Sequence, residues 1–148
     1  AYEISTRDWS SDVCSSDLIV DIARIESAIN EYGDAFVRRI FTSVEQSYCE
    51  SFALKKMPHY AARFAVKEAF SKAIGTGITK GFAFKDVGVA NEQGGKPSIV
   101  LSGAMLDTWG LYTIHVSISH TDTVAMAVVI LESEKEFDTD ISLPGSQL

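Results

Sequence analysis

Long apolar runs are missing from this chain, and nothing approaches the roughly 20 residues a membrane-spanning helix needs. The N-terminus also lacks a charged segment leading into an apolar one, so no secretory signal is expected. Cysteine is scarce. Cys14 and Cys49 are the only two, with neither metal-binding spacing nor a disulfide framework. Such usage suits a reducing cytoplasm, which is the expected location. Positive charge is in deficit, with 13 Lys/Arg against 20 Asp/Glu and a net charge of −7. That balance argues against nucleic-acid binding. No internal repeat at the period of a solenoid or propeller is visible. What is present suits one soluble domain: 148 residues, 46% hydrophobic and 22% charged.

The few cations are unevenly spread. Residues 55–80 hold six of them (Lys55, Lys56, Arg63, Lys67, Lys72 and Lys80) and one acid, Glu68. A basic segment in an acidic protein suggests a local anion site; clustering on a solvated helix face would read the same from composition.

Residues 1–18 show no sustained period of 2 or 3.6. They read as a read-through or assembly scar and are set apart from fold reasoning. The character changes at Ile19, and the domain is expected over residues 19–132. Ile19–Ile22 reads as a short strand, followed by helices over 23–31 and 34–40. Thr42-Ser-Val-Glu45 fits a capping box for a third helix. Pro58 suits the first turn of a long helix running to about Ile74, ended by Gly75-Thr-Gly77. Strands are expected over Phe82–Val89 and Pro97–Leu101, around a turn at Asn91–Gly95, with a short helix at 102–110. Ile114–Ser119 and Val124–Leu131 read as a hairpin joined by His120-Thr-Asp-Thr123. The acidic tail over 133–148 reads as disordered. Helices followed by strands imply an α+β fold with helices packed on a mostly antiparallel sheet.

On a helix at about 100° per residue, Ala62, Ala65, Val66, Ala69, Phe70 and Ala73 cover one side. Arg63, Lys67 and Ser71 follow at i, i+4 and i+8 on the other, with Glu68 and Lys72 as a second row beside them. Periodicity alone fits a solvated amphipathic helix carrying a Glu–Lys pair. The residue types also fit a polyphosphate site, with cations for phosphate oxygens and one carboxylate for a bridging Mg²⁺.

The pattern Arg63-Phe-Ala-Val-Lys-Glu-Ala-Phe-Ser-Lys-Ala73 resembles the signature of phosphopantetheinyl transferases of the short holo-acyl-carrier-protein synthase type. Ile19-Val-Asp-Ile-Ala-Arg-Ile25, Gly75-Thr-Gly-Ile78, Gly95-Lys-Pro97 and His115-Val-Ser-Ile-Ser-His120 fall in that family's order and approximate spacing. Several motifs in one order are far more specific than any single one.

The resemblance implies a transferase moving 4′-phosphopantetheine from coenzyme A to a serine of apo-acyl carrier protein, with Mg²⁺. It implies Glu68 as a metal ligand and catalytic residue, and Lys72 on the pyrophosphate. Arg63, Lys67 and Ser71 would hold phosphate or adjacent parts of coenzyme A. His120 and Thr121 would lie near the nucleotide 3′-phosphate, and Gly95, Lys96 and Pro97 against the adenine. Arg24, with Arg38 and Arg39, would meet the acidic carrier protein. A homotrimer with sites between subunits is implied as well. His59 and His115 receive no role.

The chain departs from the family at one place that matters. The second metal-binding aspartate is expected three residues before Asp21, where Leu18 stands. Asp17 and Asp21 are the possible substitutes, but a one-residue slip flips a strand side chain to the other face. Weakened metal affinity and a frayed first strand are expected. Two alternatives follow: a degenerate, non-catalytic binder of coenzyme A or carrier protein, and a broader transferase acting on peptide or polyketide carrier domains.

Overall fold

The computed structural model describes residues 12–133, so residues 1–11 and 134–148 lie outside the described residues; of the tail expected over 133–148 only Ser133 is described, and it ends a strand. Five strands and five α-helices follow in chain order: β1 (Asp12–Asp21), α1 (Ile22–Tyr32), α2 (Asp34–Ile40), α3 (Ser43–Glu50), α4 (Met57–Ala73), β2 (Val87–Asn91), β3 (Pro97–Leu101), α5 (Gly103–Trp109), β4 (Thr113–His120) and β5 (Val124–Ser133). The strands form an antiparallel sheet in the order β1-β5-β4 and a separate β2-β3 hairpin. The expected α+β architecture is present.

β1 corrects the expectation for the N-terminal segment. The strand starts at Asp12, not Ile19, and pairs with β5 residue for residue from Asp12↔Ser133 to Asp21↔Val124. It is not frayed within that span. The period of 2 is carried by small and polar residues, which hides it from an apolar count. Cys14, Ser16, Leu18 and Val20 take one face; Ser15, Asp17, Ile19 and Asp21 take the more exposed one. Strand pairing is a backbone interaction and tolerates such side chains.

α4 is the centre of the molecule. Its apolar side is largely alanine, with Ala61, Ala62, Ala65 and Ala69 buried, and it packs chiefly across β5 and β1. β5 turns Ala125, Ala127, Val129 and Leu131 to the same core. Small residues on both partners let helix and sheet approach closely. Phe41, Tyr60, Phe70 and Val87 close the core from other sides.

Thr42 caps α3 as expected. Its hydroxyl accepts from Glu45 N at 3.2 Å, and Thr42 N donates to the Glu45 carboxylate at 2.8 Å. The strand expected over 82–89 is shorter and later. Phe84–Asp86 form a 3₁₀ turn, and β2 begins at Val87. Two facts explain the shift. Phe82 and Phe84 pack edge to face at 5.0 Å, with Phe64 of α4 stacked on Phe84 at 6.1 Å. The carbonyls of Phe84 and Val87 both accept from one lysine, described below.

Candidate active site

The two polar rows of α4 part company. Arg63, Lys67 and Ser71 are buried, whereas Glu68 and Lys72 are half-buried at the surface. Lys67 is fully enclosed. Its Nζ donates to Glu45 Oε1 at 2.8 Å, to Phe84 O at 2.9 Å and to Val87 O at 2.7 Å. Three acceptors match the three N–H bonds of an ammonium. Burial pulls the Lys67 pKa below its ordinary value, and the Glu45 carboxylate opposes that shift. Glu45 is equally occupied: Oε1 also accepts from Thr42 N, and Oε2 accepts from Val89 N at 3.2 Å. Ser71 donates to Glu68 O at 2.6 Å and is fully buried. The expectation that Lys67 and Ser71 hold phosphate is therefore corrected. Both point into the protein, and Lys67 ties α3, α4 and the start of β2 together.

The outer row is arranged differently. Lys72 Nζ donates to the Asp17 carbonyl of β1 at 3.1 Å, which sets the C-terminal half of α4 against the first strand. Glu68 lies one turn earlier, and no cation among the described residues comes within ion-pair distance of its carboxylate. Leu18 shares the β1 face of buried Val20 and packs on the core, so an aspartate there would face inward. Asp17 and Asp21 are exposed on the opposite face, and Asp21 stands at the start of α1. Neither shares the face that Leu18 occupies. Among the described residues no group of three His, Cys, Asp or Glu gathers. The donor set is a single free carboxylate, Glu68. That fits Mg²⁺ at the low end of its habit, which is one or two carboxylates completed by substrate phosphates and water.

A second cluster forms at the other end of α4. The His59 ring stacks on Phe52 at 3.6 Å and lies 5.9 Å from the ring of His120, the last residue of β4. Burial, with Arg63 and His120 adding to it, pulls the His59 pKa below its ordinary value. Arg63 lies over the Tyr48 ring at 4.1 Å, and its Nη2 donates to Asn91 Oδ1 at 2.6 Å. Gly95 and Lys96 are exposed on the turn after β2, and Pro97 opens β3. The Thr121 hydroxyl accepts from Thr123 N and Val124 N, at 3.3 and 3.2 Å, and so shapes the β4–β5 turn. Helical rise places Lys72 about 20 Å from His59 along the axis, at 1.5 Å per residue. Glu68 lies about 13 Å from His59 on the same measure, with Arg63 between them.

Of the remaining candidates, Arg24, Arg38 and Arg39 are exposed on α1 and α2. Arg38 pairs with Asp34 at 3.5 Å. His115 lies on the outer face of the sheet, 3.4 Å from Glu132.

A family model of the 4′-phosphopantetheinyl transferase superfamily matches residues 19–129, the span that carries α4, the His120 turn and the last three residues of β1. The chain belongs to that superfamily. It is 41% identical to a holo-[acyl-carrier-protein] synthase of Syntrophus aciditrophicus, over 80% of this chain and 94% of the other. It is 44% identical to the synthase of Rhizobium leguminosarum bv. trifolii, over 82% and 94%. The crystal structure of a holo-(acyl-carrier-protein) synthase from Bacillus anthracis in complex with CoA (3′,5′-ADP) superposes with a TM-score of 0.70 at 35% identity, covering 83% of this chain and 98% of that one. The chain is accordingly a transferase by family.

Two residues of this transferase's site region carried no signal in the sequence. His59 is one histidine in a helix start, and only the fold brings it to Phe52 and His120. Asn91 reads as an ordinary turn residue until Arg63 is seen beside it.

Proposed function

We propose that the chain transfers 4′-phosphopantetheine from coenzyme A to the serine hydroxyl of apo-acyl carrier protein, leaving adenosine 3′,5′-bisphosphate. The observation that carries this reading is the pair Glu68 and Lys72, side by side and half-exposed beside β1, in a chain of this superfamily. The serine oxygen forms a bond to the phosphorus bearing the pantetheine arm. The bond from that phosphorus to the adenosine bisphosphate oxygen breaks, and the serine's proton is released. Such chemistry is mostly positioning and charge neutralisation. Glu68 would hold Mg²⁺ with the substrate's pyrophosphate. Bound there, Mg²⁺ supplies polarisation of the phosphoryl oxygens. Lys72 would turn from the Asp17 carbonyl to the leaving phosphate, a short move for a flexible side chain.

The nucleotide end of coenzyme A is read at Arg63, His120, Thr121, Gly95, Lys96 and Pro97. Along α4, Lys72 lies about 13 Å from Arg63 and about 20 Å from His59, the neighbour of His120, by helical rise, and a neighbouring chain is read as the source of the second half-site. The outer sheet face supports the same homotrimer reading: Ile19 is 67% and Met126 40% exposed, beside half-buried Val128 and Ile130. Exposed apolar faces of this kind mark association surfaces. The exposed Arg24, Arg38 and Arg39 would steer the acidic carrier protein and make the encounter salt-sensitive. The cytoplasm is the compartment proposed, since both thiols are free.

Leu18 favours one competing reading, a degenerate binder without transfer. Release of adenosine 3′,5′-bisphosphate, followed chromatographically with and without Mg²⁺ and apo-carrier protein, separates the two. Release that requires both identifies the transferase; coenzyme A binding without release identifies the binder. A panel of peptide and polyketide carrier domains measures the breadth of acceptance.

A further inference from the structure

We infer that Asn91 is a positioning residue that locks the Glu92–Lys96 turn to α4 through Arg63. The inference rests on the proposed function only in reading that turn as part of the coenzyme A site.

Arg63 is a buried anchor, although its Nε has no hydrogen-bond partner among the described residues. It is 2% exposed, its Nη1 donates to His59 O at 3.3 Å, and its guanidinium lies over Tyr48. Its Nη2 donates to Asn91 Oδ1 at 2.6 Å, and Asn91 Nδ2 donates in turn to Gly95 O at 3.0 Å. The chemistry dictates the amide's orientation. Arginine only donates and a backbone carbonyl only accepts, so Asn91 must present oxygen to Arg63 and nitrogen to Gly95. Besides any contact with coenzyme A, buried Arg63 thereby fixes the residue that fixes the turn.

The turn needs such a fixture. Residues 92–96 are all exposed, so packing does not hold them. Gly94 and Gly95 sit at φ 100° and 91°, where glycine is favoured and chain entropy is highest. Backbone bonds from Glu92 N to Lys96 O and from Gly95 N to Glu92 O close the turn on itself, at 2.8 and 2.9 Å. Among the described residues, only the Asn91 amide ties it to the helix by hydrogen bonds. A turn held in its binding geometry spares the ligand the cost of ordering it.

Asn91→Asp is the discriminating variant. Aspartate still accepts from Arg63, and as an ion pair does so more strongly, but it cannot donate to Gly95. The expected result is a melting temperature within a few degrees of the parent, with amide hydrogen exchange across residues 92–96 faster by about three- to tenfold, the worth of one hydrogen bond. Coenzyme A binding, measured by calorimetry without carrier protein, weakens by a similar factor. The exchange measurement is essential, because a new carboxylate would itself repel a phosphate ligand. Weaker binding with unchanged exchange, or unchanged exchange alone, overturns the inference. Asn91→Ala loses both bonds and should also melt lower. If the parent chain does not bind coenzyme A, the functional reading fails, and the exchange rates alone decide whether Asn91 locks the turn.

Discussion

Replacing Lys67 with methionine should unfold this protein more readily than any surface change. Methionine matches the lysine stem in length but removes the ammonium. Glu45 is then left as a fully buried carboxylate facing no cation, and the carbonyls of Phe84 and Val87 lose their shared donor. Removing one partner of a buried ion pair costs about 3–5 kcal/mol, because the other charge stays desolvated. Against a total stability of roughly 5–15 kcal/mol that is a large fraction. For a chain of this length it corresponds to a fall in melting temperature on the order of 10–15 °C. The assay is thermal unfolding followed by circular dichroism, at one fixed protein concentration because the proposed subunit association would shift the midpoint. Glu45→Gln combined with Lys67→Met should cost clearly less than the two single changes summed, as residues in one network do not act independently. A Lys67→Met protein melting within about 2 °C of the parent would refute the reasoning.

Three further outcomes follow from the same geometry. Leu18→Asp restores a carboxylate on the β1 face that packs on the core; it should lower the melting temperature without Mg²⁺, yet raise transfer and lower the Mg²⁺ concentration needed for half-maximal rate. No gain in a coupled assay contradicts the assignment of Leu18 as the missing ligand position. Glu68→Gln should keep the fold, since that carboxylate holds no ion pair among the described residues, and should cut transfer by about a hundredfold or more; near-parental turnover would remove Glu68 from the mechanism. Burial pushes the Cys49 thiol from 9.0 up to about 12. A thiol whose folded pKa is raised favours the folded state while it is neutral, so that contribution is complete below pH 9.0 and lost as pH rises toward about 12. Urea titrations across that range should show a shallower alkaline loss of stability for Cys49→Ala, and identical slopes would show that Cys49 does not titrate as described.

Most elements are legible in the sequence, and those that are not have physical causes. The capping box at Thr42 and Glu45, Pro58 in the first turn of α4 and the hairpin of β4 and β5 are local signals, and each appears where local chemistry puts it. The start of β1 at Asp12 is not legible, because its inward face carries Cys14 and Ser16 and the pairing with β5 supplies the reason for a strand. α4 was legible as a helix but not in its surroundings. A periodic plot assigns one wet side, whereas α4 is covered on two sides and hides Arg63, Lys67 and Ser71. The second task of Glu45, holding Lys67 across 22 residues of sequence, leaves no mark in any local pattern. The same holds for the meeting of His59 with His120 and of Arg63 with Asn91, which exist only once helix and strands are docked.

The most direct test is intact mass spectrometry of apo-acyl carrier protein incubated with this chain, coenzyme A and Mg²⁺. The expected result is a phosphopantetheine adduct on the carrier that disappears when EDTA replaces Mg²⁺ and when Glu68→Gln replaces the parent. An unmodified carrier with both the parent and Leu18→Asp would contradict it.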